Sequence, residues 1–143
     1  MATLITMEER ILSALDLFRA GDDDAALGAL LEFADELLPA LIGVYRREDD
    51  AECRAFLVRI AWERREPETL GFIAEALNDP VEEVWQSALD GSVALASEEI
   101  LDLLRAARGS VRADPSSTRR FQLCIDEAIL YVDGLLQGGQ RPR

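Results

Sequence analysis

At 143 residues, about half of them apolar, the chain holds one domain's worth of sequence and enough hydrophobic side chain to bury a core, which excludes a disordered acidic polymer. Twenty-eight acidic residues against fifteen basic ones give a net charge of −13 and a pI near 4.3, which argues against binding a nucleic-acid backbone or an anionic membrane, because either needs a basic face. All fifteen basic residues are arginine, and with no histidine there is no imidazole base, no Ser-His or Cys-His nucleophile pair and no His metal ligand.

Apolar residues recur at three- and four-residue spacings almost from end to end, strand alternation is nearly absent, and the expected fold is all-α. The N-terminal residues show no basic segment followed by an apolar one, and no stretch reaches the roughly 18 apolar residues of a membrane span, so a cytoplasmic protein is expected. Thr6 with Glu9 reads as a capping box opening a first helix. That helix carries Ile11, Leu12, Leu15 and Phe18 on one side and stops at Gly21. Asp22, Asp23 and Asp24 suit the next helix N-terminus, where carboxylates accept from free N–H groups and complement the dipole. A metal cluster is the alternative, but the calcium-loop template does not fit them. Pro39 interrupts the apolar run from Leu30 to Ile42 and should end or kink a helix close to residue 36.

A repeat then emerges. Leu41, Val44 and Tyr45 map onto Leu70, Ile73 and Ala74 at a shift of 29, and Leu70 and Ile73 map onto Leu101 and Leu104 at a shift of 31. Acidic turns separate the halves of each unit: Glu48-Asp49-Asp50, Asn78-Asp79-Pro80 and, more distantly, Asp114-Pro115. Each is followed by a second helix with its own stripe: Cys53, Phe56, Leu57, Ile60; Val84, Ala88, Ser92, Leu95; and Phe121, Ile125, Ala128, Val132, Leu135. Such a period, with two helices per unit, indicates an α-solenoid in which each hairpin buries its face on its neighbours.

The segment from Leu77 through Asp79-Pro80-Val81 to Ala88-Leu89 resembles the turn and second helix of a HEAT repeat. The resemblance is good over 68–107, plausible over 36–65 and loose over 110–137. It implies a right-handed α-solenoid of about three HEAT-like hairpins plus an N-terminal helix. Trp85 stands where Arg is common in that family, which counts against the charged ladder that such repeats often form between neighbours. The wording from Asp79 to Leu104 also resembles small acidic bacterial HEAT-like proteins encoded beside secreted antibacterial toxins, which implies an immunity protein with one cognate partner and no catalysis.

Residues 66–104 carry ten acidic side chains and no basic one, so the charge is expected on a rigid element, as a surface for a basic protein partner. Glu82, Glu83, Gln86 and Asp90 should form a solvent-facing strip. Their i,i+4 spacings also allow a carboxylate metal or acid–base site, but Asp79 as N-cap, Pro80 at N1 and Glu82 at N3 read as a capping arrangement. Trp85 lies at the edge of its stripe and Trp62 on a second stripe with Ala55 and Val58; each is either buried between repeats or an exposed anchor for a partner. Gly91, in mid-helix, marks close helix packing or a backbone approached by a ligand. Cys53 and Cys124 lack metal or redox spacing and read as two free buried thiols.

Residues 1–137 are expected as one domain and 138–143 as a frayed tail. The expected function is a non-enzymatic protein-binding module with no catalytic residues, metal or cofactor. In its sharper form it is an immunity protein whose acidic surface, with Glu82, Glu83, Trp85, Gln86, Asp90 and Trp62, meets a basic toxin domain. The alternatives are a HEAT-repeat scaffold or adaptor in a larger bacterial complex and, further off, a carboxylate-dependent enzyme.

Overall fold

Local signals start the helices at the places their side chains dictate. A computed structural model of the chain describes residues 6–31 and 37–138, and among the described residues there are eight α-helices and no strand. Thr6 Oγ1 accepts the Glu9 N–H at 3.1 Å and opens α1 (Met7–Arg19). Gly21, at φ +89°, closes it: the Gly21 N–H returns to the Phe18 carbonyl and the Asp22 N–H to Leu17, the paired bonds that end a helix through a left-handed residue. Asp22 Oδ1 then accepts the Ala25 N–H at 3.3 Å, starting α2 (Asp23–Leu31) in the capping role expected of that aspartate. Pro39 falls in the first turn of α3 (Leu37–Arg47) as described; the break expected near residue 36 lies outside the described residues.

Asp50 caps α4 (Ala51–Arg64) by accepting the Glu52 N–H at 2.9 Å. After α5 (Thr69–Leu77), α6 (Glu82–Ala94) departs from expectation, because its N-cap is Val81, with no side-chain capping bond. Asp79 does accept the Val81 N–H, at 3.0 Å, but its carboxylate is turned into the protein, and Glu82 reaches outward to Arg120. Ser97 caps α7 (Glu98–Ala107) through the Ile100 N–H, and Asp114 accepts the Ser117 N–H at 2.7 Å as α8 (Pro115–Gly138) begins. Gly138 is the last residue of α8, and the expected tail beyond it lies outside the described residues.

The helices pack in a regular order. Each hairpin closes on itself, α3 with α4, α5 with α6 and α7 with α8, while α4 packs on α6, α6 on α8, and α5 on α7. Two helices precede these hairpins where one was expected: α1 and α2 pack together, and α1 also covers α3 and α4. Aromatic pairs tie neighbours together: Phe18 stacks on Phe56 at 4.5 Å, Tyr45 meets Phe72 edge-on at 4.9 Å, and Trp85 meets Phe121 edge-on at 5.1 Å. One apolar core runs through all eight helices.

The stripes of α4 and α6 are buried as expected, apart from Leu95, which is half-buried at the helix end. On α8 the stripe needs correcting. Phe121, Ile125, Ala128 and Val132 are buried, but Leu135 is 46% exposed and Leu136 packs on the core instead. At 100° per residue, the four-residue step from Val132 keeps the buried face and the three-residue step leaves it. Cys53 is buried, and burial pushes its thiol up to about 12, whereas Cys124 is only half-buried.

Candidate functional site

The acidic middle of the chain is divided by its surroundings into paired and unpaired carboxylates. Of the ten, Glu66 pairs with Arg64, Glu75 with Arg46, Asp79 with Arg54, Glu82 with Arg120 and Asp102 with Arg105. Half of the carboxylates are thus paired: Arg46, Arg54 and Arg120 reach across from other helices, and Arg64 and Arg105 pair with acids two and three residues away. Glu68, Glu83, Asp90, Glu98 and Glu99 form no ion pair among the described residues and are exposed.

Asp79 is the most enclosed of the paired acids. Its carboxylate accepts Arg54 Nε and Nη2 at 3.0 and 3.2 Å, the Tyr45 hydroxyl at 2.7 Å and the Val81 N–H. Burial alone pushes the Asp79 carboxyl up, but the bonds from Arg54, Tyr45 and Val81 outweigh it and leave the carboxyl below the ordinary range. Burial, with Asp79 as acceptor, drives the Tyr45 phenol well above its usual value. Arg54 stands 31 residues before Trp85, so it occupies the equivalent place one unit earlier and spans to the next turn's aspartate.

One rung earlier, Arg19 reaches Glu48 and lies 4.0 Å from Asp50. One rung later the pattern changes, because Trp85 cannot donate such a bond. Arg112, from the loop before α8, instead donates to the backbone carbonyls of Asp79, at 2.7 Å, and Leu77, and its guanidinium lies 3.7 Å over the ring of Phe121. Both oxygens of the Asp79 carboxylate are engaged twice, so the carboxylate ties α3 and α4 to the turn before α6.

The sequence-predicted strip on α6 is partly realised. Glu83 and Asp90 reach solvent. Glu82 is held by Arg120 Nε at 2.6 Å, and Gln86 Nε2 donates to Cys124 Sγ at 3.5 Å, so both lean towards α8. Arg120 holds the Glu82 carboxyl below the ordinary range. Packing around Asp90 keeps water from part of its carboxyl and pushes its pKa up. Trp85 is buried, 3% exposed, and offers no ring face to a partner. Trp62 is half-buried over α6 beside Gly91.

Between α6 and α8 runs an open groove of about 800 Å³, with Gln86 and Asp90 on one wall and Arg119, Leu123, Glu127 and Tyr131 on the other. Leu123 and Tyr131 are 59% and 57% exposed, and Leu130 beside them 73%. Sequence reasoning missed this second wall. The signal was present: Leu123, Leu130 and Tyr131 form a second apolar line on α8, off the Phe121–Ile125 stripe, which one neighbouring helix layer cannot cover. Among the described residues no group of three or more His, Cys, Asp or Glu side chains is placed to hold a metal ion. No described helix is long and apolar enough to cross a membrane.

Comparison with known proteins yields no match, whether with family models, curated proteins or solved structures. Among the described residues, the fold and site define an all-helical protein with a groove between α6 and α8 lined by apolar and charged side chains of both signs.

Proposed function

We propose that the chain is a non-enzymatic protein-binding module built as a right-handed HEAT-like α-solenoid, and that it is an immunity protein neutralising a basic toxin domain. The solenoid reading is supported by the 29- to 31-residue period and by second helices packing on second helices from α4 to α8. The observation that carries the binding reading is the uncompensated carboxylate of Asp90 set across one groove from the exposed apolar side chains Leu123 and Tyr131, with the unpaired Glu83 exposed about two turns earlier on the same helix. Unpaired charge speeds encounter with a basic partner, and apolar anchors slow its release. Binding of this kind uses no metal, cofactor or catalytic residue. Neutralisation of a toxin rests on the resemblance of residues 79–104 to HEAT-like immunity proteins.

A scaffold or adaptor subunit of a larger complex is the second reading, favoured by the apolar line that α8 leaves on the surface. Parallel capture on wild-type protein and on Glu83→Arg/Asp90→Arg, read by mass spectrometry, tests the proposal. A basic toxin domain retained by the wild type and lost by the folded variant supports it. Retention of several subunits of one assembly by both proteins supports the scaffold instead.

A further inference from the structure

The exposed face of α8 that forms one wall of the groove has a composition that complements itself. Arg119, Leu123 and Glu127 follow one another at four-residue steps, all three are exposed, and neither charged group has an ion-pair partner among the described residues. Arg120 and Asp126, by contrast, are engaged by Glu82 and Arg108. Continuing along the same face, Leu130 lies seven residues after Leu123, and Ser116 lies seven before it. The large exposed side chain on one side of Leu123 is therefore matched, at equal distance on the other, by a small one.

We propose that two copies of this chain associate through α8, antiparallel, about a two-fold axis at Leu123. A two-fold interface requires that if one residue meets another, the second meets the first, so only a self-complementary surface can form it. About this axis Leu123 meets Leu123 of the second copy, and Arg119 meets Glu127 of the second copy on both sides. Leu130 lies over Ser116 of the second copy, where a larger residue would clash. Arg119 and Glu127 are each about 6 Å along the helix from the axis, which brings the opposite charges to the same height. The same residues in a parallel arrangement would set Arg119 against Arg119 and Glu127 against Glu127. Leu123 also lines the groove of the partner reading, so a second copy and that partner would compete for it; the charge swaps on Arg119 and Glu127 test the dimer without touching Glu83 or Asp90.

One helix face per copy is a small interface, so association belongs at about 1 μM to 1 mM protein, measured by sedimentation equilibrium near physiological ionic strength, where the mutual repulsion of two acidic bodies is screened. Wild type is expected to move from monomer to dimer in that range. Arg119→Glu and Glu127→Arg should each weaken the dimer about tenfold, because the symmetry replaces two attractions by two repulsions at once. The double variant Arg119→Glu/Glu127→Arg should return it to near the wild-type constant, which only residues facing each other across the axis would do. Leu123→Asp should leave a monomer with an unchanged helical spectrum and melting curve, since this side chain is already 59% exposed. A wild type that stays monomeric to about 1 mM, or a dimer that the double swap does not restore, overturns the proposal.

Discussion

Gly91 and Trp62 form one lock between α4 and α6: a Cβ built on Gly91 would lie 2.6 Å from Trp62 Cγ and Cδ1 and 2.9 Å from its Cβ. These atoms are the root of the indole, so the ring cannot turn aside without moving α4. Of the two readings of a mid-helix glycine, close helix packing is therefore the one realised here. Helix propensity favours alanine by about 1 kcal/mol, yet overpacking costs about 1–3 kcal/mol, and the second effect prevails. Gly91→Ala should destabilise the protein in urea titrations and alter the Trp62 fluorescence. Trp62→Leu in the same chain should relieve most of that loss, and a Gly91→Ala protein as stable as wild type would show that the contact imposes nothing.

The Asp79 carboxylate joins the α3–α4 hairpin to the α5–α6 hairpin, and it is the most enclosed of the paired acids, so removal of its charge should be felt more than that of any other. Asp79→Asn keeps the size but leaves Arg54 without a counter-charge. The expected loss is about 3 kcal/mol, the low end for a broken buried pair, because the Arg54 side chain remains 13% exposed. The matching Asp50→Asn, at a half-exposed turn, should cost well under half as much in the same denaturant series.

Acid should act through the same residue. The folded Asp79 carboxyl lies below its ordinary value, so its contribution is fully present above the unfolded pKa of about 3.9 and is lost as pH falls through the folded value. Glu82 and Asp126, held low by Arg120 and Arg108, and Asp114, held low by the Ser117 N–H, add in the same direction. Thermal midpoints should hold near neutrality and drop below about pH 4, and Asp79→Asn should flatten that drop.

Glu83→Arg/Asp90→Arg should melt like the wild type, within about 0.5 kcal/mol, because both side chains are exposed and unpaired. With a purified basic partner, its association should slow severalfold or more while dissociation changes less, and wild-type association should slow as salt shortens the Debye length below about 10 Å. Stopped-flow rates indifferent to both changes would leave the acidic strip as a solvated helix face.

Neutralising Asp22, Asp23 and Asp24 to Asn should lower stability by no more than about 1 kcal/mol, since Asn still accepts the Ala25 N–H and only the dipole attraction is lost. Calorimetry on the wild type with calcium or magnesium should show no heat that this variant lacks. A metal signal abolished by the substitution would reassign the triplet from helix capping to ion binding.

The all-helical class, the caps at Thr6 and Asp22, and the buried stripes of α4 and α6 were legible in the sequence, because helix starts and amphipathic faces depend on residues within a few positions of each other. The same local logic singled out Glu83, Asp90 and Gly91. What only the tertiary structure decided depends on side chains roughly thirty residues apart meeting across units: Arg54 reaching Asp79, and Trp62 lying on Gly91. Local capping rules placed Asp79 at the start of α6, and the buried Tyr45–Arg54 donors drew its carboxylate inward instead, because an enclosed bond to a charged donor outweighs an exposed cap. The pairing of Glu75, Asp79 and Glu82 with Arg46, Arg54 and Arg120, and the second wall of the groove on α8, likewise follow from which helices stack, which no local spacing encodes.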